Sequence, residues 1–418
     1  MKSDNNSSSG STPAPMQKPP QKTPWYRALM AAGLMTLAAH PLVMYGSAPS
    51  TSIVAEDDIT SSRQNAITRA VKVCSPAIVG ISITETRTQL YRDPMEDMMM
   101  GDPFFRRYFG DRGRTYKRQY EVRGLGSGFL VSNDGYIITN DHVAGNASKI
   151  VVTMTSGEKY DATIVGTDPV TDVALLKISG KNFPHLKLAN SDNVEVGEWA
   201  IAFGNPFGLF DINAKPTVTV GVVSNTGVDF TQPDEAGADR VYRGMIQTDA
   251  AISSGNSGGP LVNASGEAIG MNTVIYSTSQ SSRGSGSIGI GFSIPINRVK
   301  RIMDRLKKDG SIDRDFWTGM ELQEIDEAMS RMYGLKANEG VIISQIMRNS
   351  PAEDAKLEPG DVIVAIDGVR IHRTEDVKVA ILDGETDSAL RITVKRGDSE
   401  ETMTLKLRAR PRRGATRN

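Results

Sequence analysis

The sequence is poor in the residues that carry redox or metal chemistry. Its 418 residues include one cysteine, Cys74, and four histidines. A single cysteine excludes an intrachain disulfide and a cysteine-based metal site. No two of the histidines stand at ligand spacing, which argues against a zinc site. The formal net charge is −1, so no bulk field attracts nucleic acid or an anionic membrane surface. We therefore expect no cofactor, no metal and no nucleic-acid partner.

Glycine, proline and short runs of Val and Ile are abundant instead. The chain contains 40 glycines and 20 prolines, which is typical of a protein rich in strands and turns. At least ten short strands are predicted with no regular alternation of strand and helix, which indicates a β-sandwich or a pair of barrels. They cover residues 126–131, 136–139, 149–154, 162–165, 173–178, 199–203, 218–223, 244–247, 268–273 and 289–294.

The N-terminal region divides by composition. Residues 1–27 are rich in Ser, Pro, Lys and Gln and are predicted to be disordered. Residues 28–48 carry no Asp, Glu, Lys or Arg and follow a basic flank. They fit either a cleaved signal peptide or an uncleaved membrane anchor. Both alternatives predict that the rest of the chain is exported, to the periplasm or cell envelope, after a linker at 49–63.

Two further regions are predicted. Residues 64–310 form the β-rich domain, which ends in a helix over 295–308 whose apolar residues share one face. The apolar residues of 84–123 show no clear helical or strand spacing, and this segment is expected to be a long loop. Residues 318–410 combine short strands with a helix at 374–382 and predict a separate small α+β module.

A glycine-rich stretch around one serine is the strongest candidate for chemistry. Ser257 follows Gly255 and Asn256 and is followed by two more glycines. Glycines allow a tight path with positive φ, which exposes the hydroxyl and turns neighbouring N–H groups toward one point. A nucleophile beside such an oxyanion hole is what acyl transfer requires.

A serine nucleophile needs a general base, and histidine is the side chain that titrates near neutral pH. His142 follows an apolar strand directly, at a position where a rigid scaffold presents side chains into a cleft. The other histidines are weaker candidates. His40 lies in the export segment, His185 in a Phe-Pro-His loop and His372 in the C-terminal module.

The acid that orients the base is expected to be buried. Asp172 precedes the apolar strand 173–178 and is our choice. Asp168 stands before a proline and is typical of a turn. Asp141 adjoins His142 in a strand-like frame, so the two side chains are expected to diverge. The order along the chain is then His, Asp, Ser.

With these residues in place, several segments resemble the HtrA/DegP family of serine proteases. They are GSGFLVSNDGYIITNDHV, DPVTDVALLKI, AFGNPFG, QTDAAISSGNSGGPLVN, GIGFSIP and DPFFRRYFG. The C-terminal module is similar to the PDZ domain of that family. The resemblance covers about 65–410 and implies a mainly β protein: a chymotrypsin-like double β-barrel protease domain followed by a small α+β PDZ-like domain.

The resemblance also implies roles for particular residues. Ser257 would be the nucleophile, His142 the general acid and base, and Asp172 the orienting acid. Backbone N–H groups of Gly255 and Ser257 would form the oxyanion hole, with Asn256 available. A pocket for small or medium apolar residues would be lined by Ile252, Ile290 and Phe292. A peptide strand would add beside residues 341–346, with its carboxylate near Gly340, Val341 and Ile342.

Three functions are consistent with this resemblance. The first is an ATP-independent endoprotease of the cell envelope that degrades unfolded or misfolded proteins during stress, since no P-loop is present. The others are a membrane-anchored signalling protease that cuts one substrate, and a chaperone or scaffold with latent proteolysis. The resemblance further implies a homotrimer or higher oligomer. Departures at Ser253-Ser254, at 209–216 and at 225–243 leave the route of activation open.

Overall fold

The computed structural model describes residues 63–92, 115–205, 208, 210–233, 237–275, 289–332 and 339–410. The predicted leader, export segment and linker at 1–62 lie outside these residues. Within the described ranges, no helix has both the length and the apolar character needed to cross a bilayer.

The first barrel is closed by six antiparallel strands in the order β1-β2-β3-β6-β5-β4. These are β1 (Ile78–Arg92), β2 (Thr115–Leu130), β3 (Tyr136–Thr139), β4 (Lys149–Met154), β5 (Lys159–Asp168) and β6 (Val173–Ile178). Helix α1 (Ala66–Cys74) precedes it, with the Asn65 side chain accepting from the Thr68 N–H at its start. The one-turn helix α2 (Asp141–Ala144) follows β3. The apolar side chains of β3 and β6 fill the interior because both strands are almost wholly buried.

The region predicted as a loop at 84–123 is largely a hairpin, so that prediction is wrong for its described part. β1 pairs with β2 without interruption from Ile78↔Phe129 to Arg92↔Thr115. β4 covers β1 only over Val79–Thr84, so the rest of the hairpin extends past the barrel as a two-stranded arm. Alternating threonines support strand geometry there, although the polar residues hide the apolar periodicity of a core strand. Residues 93–114 at its tip lie outside the described residues.

The second barrel is built from later strands in the order β11-β8-β9-β10-β13-β12, and β11 also pairs with β12 to close it. The elements are β7 (Lys187–Leu188), β8 (Trp199–Gly204), α3 (Phe210–Asn213), β9 (Thr217–Pro233), β10 (Asp239–Thr248), β11 (Pro260–Val262), β12 (Glu267–Ile275) and β13 (Gly291–Pro295). β7 adds to β12 in parallel. β7 and β11 were absent from the predicted strands because two- and three-residue strands carry no readable period.

Helix α4 (Ile296–Asp309) closes the protease domain. It buries Ile296, Val299, Ile302 and Leu306 along one face and ends at Gly310, which adopts φ 73°. A left-handed residue at a helix C-terminus favours glycine. The same face packs on β5 and β6 of the first barrel and on β12 and β13 of the second, so α4 bridges the two.

The C-terminal module has its own sheet, in the order β15-β16-β17-β19-β20, and its own apolar core. Its elements are β14 (Phe316–Trp317), β15 (Met320–Glu324), α5 (Glu327–Met332), β16 (Val341–Ile346), α6 (Pro351–Asp354), β17 (Val362–Ile366), β18 (Val369–Arg370), α7 (Thr374–Leu382), β19 (Ala389–Arg396), β20 (Ser399–Lys406) and β21 (Arg408–Ala409). The predicted fold class, a double β-barrel followed by a small α+β module, is confirmed.

Buried ion pairs join the module to the barrels. Arg314 contacts Asp168 of β5 at 2.7 Å and also donates to the carbonyls that end α7. Arg298 on α4 contacts Asp383, just past α7, at 3.1 Å between Nη1 and Oδ2. Removing one partner of such a pair would leave an uncompensated charge that is largely buried, so these contacts stabilise the packing of the module against the barrels.

Candidate active site

His142 is presented by the short helix α2 at the end of a buried strand. Ile137 and Ile138 of β3 are fully buried, which fixes the point where the helix begins. The imidazole is one-third exposed, and its Nδ1 lies 2.9 Å from each carboxylate oxygen of Asp172. The remaining ring nitrogen, Nε2, is thus left for a proton acceptor or donor on the side of the cleft.

Asp172 occupies the sharp turn between β5 and β6. Its backbone adopts φ 58°, a left-handed conformation that Asp tolerates better than most residues. The Asn140 side chain holds this turn by donating to the Asp172 carbonyl at 2.9 Å. The carboxylate is fully buried and accepts from the His142 N–H, from the Tyr242 hydroxyl at 3.2 Å and from the Thr273 hydroxyl at 2.5 Å.

The pKa values of Asp172 and His142 shift in opposite directions, as those of an orienting acid and its base are expected to do. Burial alone would raise the pKa of Asp172, but the imidazole, Arg240 and the Thr273 hydroxyl hold it below its ordinary value. Burial alone would lower the pKa of His142, but the charge and hydrogen bond of Asp172 raise it above its ordinary value. Asp172 therefore stays ionised beside an imidazole that gains basicity.

Ser257 lies at the end of a tight turn. The Asn256 N–H donates to the Ser253 carbonyl at 2.9 Å, and Gly255 adopts φ 95°. This combination is a type II turn, which demands positive φ at its third residue and therefore favours glycine there. The turn orients the peptide between Ser254 and Gly255 so that the Gly255 N–H is released from the turn.

Two backbone N–H groups are left to bind an oxyanion. Among the described residues, the N–H groups of Gly255 and Ser257 donate to no acceptor. The N–H of Asn256 is used by the turn, so the expectation that Asn256 could join the oxyanion hole is wrong. The Asn256 side chain is buried and its Oδ1 has no hydrogen-bond partner in the described part of the chain.

The turn at 253–256, called the nucleophile turn below because it leads to the candidate nucleophile Ser257, is anchored to the first barrel through Ser127. The Ser127 hydroxyl donates to the Gly255 carbonyl at 2.5 Å, and its N–H donates to the Ser257 carbonyl at 3.0 Å. Ser127 belongs to β2, whereas Ser257 precedes β11. The turn that carries the free N–H groups is thus fixed across the cleft between the barrels.

Thr273 links the two halves of the site, and our sequence reasoning missed it. Its hydroxyl donates to Asp172, and its carbonyl accepts from the Ser257 hydroxyl at 3.1 Å. Among the described contacts, the Ser257 hydroxyl is not bonded to His142. Catalytic hydrogen bonds are often loose without substrate, and one rotation about the Cα–Cβ bond would redirect this hydroxyl. Thr273 was predicted only as a strand end, since one polar residue in a strand carries no signal of its partner.

The competing carboxylates contact arginines rather than His142. Asp168 contacts Arg314. Asp141 contacts Arg240, with Nη2 and Oδ2 3.4 Å apart. The contacts agree with the predicted divergence of the Asp141 and His142 side chains, but the strand-like frame from which it was predicted is wrong, because both residues lie in helix α2.

The predicted pocket residues do not form one wall. Ile252 is buried against Gly291, which leaves room for it because it lacks a side chain. Phe292 is the next residue along β13 and therefore faces the other side of the strand, where its ring lies 5.1 Å from that of Phe230. Ile290 is about one-third exposed. Phe292 thus belongs to the core, and Ile252 remains the pocket candidate. Residues 276–288 lie outside the described residues.

The predicted peptide edge of the C-terminal module is also corrected. Val341 and Ile342 pair with β15 on one side and with β17 on the other. A peptide cannot add beside a strand whose two edges are both occupied at these residues. β15 stands at the edge of the sheet instead, and α7 begins beside its end because the Thr374 N–H and hydroxyl donate to Glu324.

The one cysteine, Cys74, is not a candidate nucleophile for acyl transfer. Cys74 is buried at the end of α1, and burial raises the pKa of its thiol to about 11. A thiol with such a pKa is a poor nucleophile at neutral pH. Within the described ranges, no group of three or more His, Cys, Asp or Glu side chains is placed to hold a metal ion.

Gly258→Ala is expected to disrupt the nucleophile turn. Gly258 adopts φ 84°, and a Cβ there would overlap the Ser127 carbonyl and the Thr139 hydroxyl. We expect a loss of about 3 kcal/mol in unfolding free energy, from left-handed strain of about 1 and overpacking of about 2, measured by urea unfolding. The matched control is Gly157→Ala, at φ 88° with nothing within 4 Å of the added carbon. An equal loss in both variants would contradict the steric explanation.

The comparisons with known proteins agree with this geometry. The family model described as a trypsin-like peptidase domain matches residues 126–271. The model described as a PDZ domain matches residues 318–407. Both matches fall on the regions that the structure builds as two barrels and as the small α+β module.

Similar proteins cover most of the chain. A probable periplasmic serine endoprotease, DegP-like, from Chlamydia pneumoniae is 37% identical over 88% of this chain and 74% of its own. A putative serine protease HhoA from Synechocystis is 36% identical over 85% and 88%. A solved structure of the HtrA-type protease AlgW with a decapeptide matches with TM-score 0.59 and 34% identity over 83% of this chain and 99% of its own. The chain is therefore a serine endopeptidase that belongs to the HtrA/DegP family.

Proposed function

We propose that the chain is an ATP-independent endoprotease of the periplasm or cell envelope that cleaves unfolded or misfolded polypeptides. Ser257 serves as nucleophile, His142 as general acid and base, and Asp172 as orienting acid. The observation that carries this assignment is the buried Asp172–His142 hydrogen bond in one barrel, facing a serine beside two free N–H groups in the other. The periplasmic names of the relatives support the location.

The reaction follows from these positions. The hydroxyl oxygen of Ser257 attacks the scissile carbonyl while His142 Nε2 takes the hydroxyl proton. Asp172 stabilises the resulting imidazolium. The tetrahedral oxyanion is bound by the N–H groups of Gly255 and Ser257. His142 then gives the proton to the leaving amine. Water enters as the second nucleophile, and the same groups release the carboxylate product.

The substrate class rests on the shape and charge of the cleft. Ile252 is buried next to the nucleophile turn, and Ala251 is the residue before it. With no acidic side chain there, a basic residue gains no charge partner. We propose cleavage after Val, Ala or Ile. An extended peptide is needed to reach Ser257 in a cleft between two rigid barrels, which favours unfolded substrates over folded ones.

The C-terminal module supplies a peptide-binding site. We propose that a C-terminal peptide adds to the free edge of β15 and lies beside α7, with its carboxylate near the Gly319 turn. Met320 and Leu322 are half-buried and pack on the module core, so β15 is rigid enough to serve as a template. This site replaces the predicted one at Gly340, Val341 and Ile342. Family membership supports a homotrimer or larger oligomer as the assembled form.

One degradation experiment with two arms tests this function. The purified chain is incubated with reduced, unfolded casein and, separately, with a folded protein of similar size, without ATP. We expect casein to be cut after Val, Ala or Ile, and the folded protein to survive. In the second arm, a peptide with a free C-terminus is expected to change the rate, and its amidated form is not.

The outcomes separate the alternatives. Cleavage mainly after Lys or Arg would contradict the pocket assignment. If casein is cleaved only after the peptide with a free C-terminus is added, the result would favour a regulated signalling protease. If casein is cleaved neither with nor without the peptide, the result would favour a chaperone or scaffold. The Asp172–His142 hydrogen bond argues for hydrolysis instead.

A further inference from the structure

An arginine lies between the proposed orienting acid and a second carboxylate. Arg240 is on β10, and its side chain is largely buried. Its Nη2 is 3.4 Å from Oδ2 of Asp141, and its Nε is 3.9 Å from Oδ1 of Asp172. Oδ1 is also the oxygen that accepts the His142 backbone N–H at 3.1 Å. Arg240 therefore approaches a carboxylate oxygen that His142 also contacts, through both its backbone N–H and its ring.

The hydrogen bonding of this arginine is incomplete. Its Nε is buried and has no hydrogen-bond partner among the described residues. Asp141 is also buried, at the first position of α2, and Arg240 is the partner of its carboxylate in the described contacts. Oδ2 of Asp172 accepts from the hydroxyls of Tyr242 and Thr273, and Nδ1 of His142 lies 2.9 Å from it. The guanidinium thus has two carboxylates within reach and is fully bonded to neither.

We propose that Asp141 and Arg240 form a positioning pair for the triad, in which ionised Asp141 holds Arg240 away from Asp172. The full charge of Asp172 then remains available to His142. When Asp141 is protonated, its attraction for Arg240 is lost and the guanidinium moves onto Oδ1 of Asp172. There it competes with the His142 N–H groups and lowers the basicity of the imidazole. This inference rests on the catalytic roles proposed above.

The environment of Asp141 raises its pKa into the range in which a histidine base titrates. Burial, and then the charge of Asp172, raise the pKa of Asp141 to about 6, against the opposing effect of Arg240 and His142. Asp168 adds a further increase from β5, where it is paired with Arg314. Tyr242, on β10, stays neutral because burial and Asp172 raise its pKa. Asp141 therefore titrates close to the pH at which a histidine base loses activity.

The sign of each variant follows from the charge removed. Asp141→Asn removes an anion and leaves Arg240 free to move to Asp172, so the pKa of His142 falls. Arg240→Gln removes a cation, so that pKa rises. For charges within about 4–6 Å we expect shifts of about one unit in opposite directions. The double variant removes one charge of each sign and is expected to return near the wild-type value.

The test combines kinetics with a measurement that needs no activity. The pH dependence of kcat/KM is recorded for the full chain and the three variants with an apolar peptide substrate. The pKa of His142 is then read by NMR titration of the ring carbon in a Ser257→Ala background. With four histidines in the chain, each signal can be assigned by single substitution. Thermal melting confirms that each variant is folded.

Opposite shifts in the single variants, with recovery in the double variant, support the positioning pair. Shifts in the same direction, or a His142 pKa that neither substitution moves, would overturn it. At pH 8 we also expect Asp141→Asn to lower kcat by about threefold with little change in KM, because the efficiency of a general base falls with its basicity but less than in proportion. If the triad assignment itself were wrong, Ser257→Ala would retain hydrolysis while the NMR titration would still report on the pair. The two failures are therefore distinguishable.

Discussion

Ser257→Ala is expected to lower kcat by about 10⁶-fold and to leave the fold intact. The hydroxyl lies beside the free N–H groups of Gly255 and Ser257, so its removal deletes the proposed attacking atom and keeps the proposed oxyanion hole. Residual hydrolysis would come from that hole and from binding alone. The measurement is the initial rate of casein cleavage, with circular dichroism to confirm folding.

The nucleophile turn supplies its own control. Ser254 is an exposed serine three residues earlier, and Ser254→Ala alters no backbone in the turn. We expect this variant to keep its rate within about twofold, as is usual for surface substitutions. Equal losses in the two variants would mean that the turn as a whole, rather than one hydroxyl, is needed.

Asp172→Asn is expected to lower kcat by about 10⁴-fold with little change in KM. The carboxylate accepts from four groups, among them Nδ1 of His142, so it fixes the tautomer that leaves Nε2 free to take a proton. A carboxamide of equal size presents an N–H to the ring and favours the wrong tautomer. Steady-state kinetics on a peptide substrate measure the loss.

Asp168→Asn is the matched control for this effect. Asp168 is buried four residues earlier and contacts Arg314, not His142. Removing its charge is expected to lower the melting temperature, since an unpaired buried guanidinium is unfavourable. The folded enzyme is expected to keep kcat within tenfold. A 10⁴-fold loss here as well would show that the whole β5–β6 turn, and not its contact with His142, sets the rate.

The sequence was most informative where local chemistry is unusual. Gly255 and Gly258 around Ser257 predict positive φ, and both adopt it. An apolar strand before His142 and another after Asp172 predict rigid positions for both side chains. These signals are local, because each depends on a few consecutive residues whose backbone or burial is constrained. Many short strands without helices between them predicted a β-sandwich or a pair of barrels. The choice of the double barrel came from the resemblance to the HtrA/DegP family.

Pairing between distant residues could not be predicted in the same way. Thr273 and Tyr242 contact Asp172 across the cleft, yet each is an ordinary strand residue in the sequence. The peptide edge was misplaced for a similar reason. Val341 and Ile342 look like any apolar strand, and only the register shows that both of their edges are occupied. The two-stranded arm was predicted as a loop because its strands show no buried face over 85–88 and 119–124, the part whose burial the structure describes.

The anchoring of the nucleophile turn by Ser127 has a consequence for how the enzyme matures. The first barrel carries Ser127, His142 and Asp172, and it precedes the second barrel along the chain. Until the second barrel has formed and docked, Ser257 has neither its turn geometry nor its base. A nascent or half-folded chain is therefore not expected to hydrolyse peptide bonds in itself or in neighbouring chains. An intermediate in which one barrel has folded therefore has no hydrolytic activity of its own, because Ser257 and His142 are brought together only when the two barrels dock.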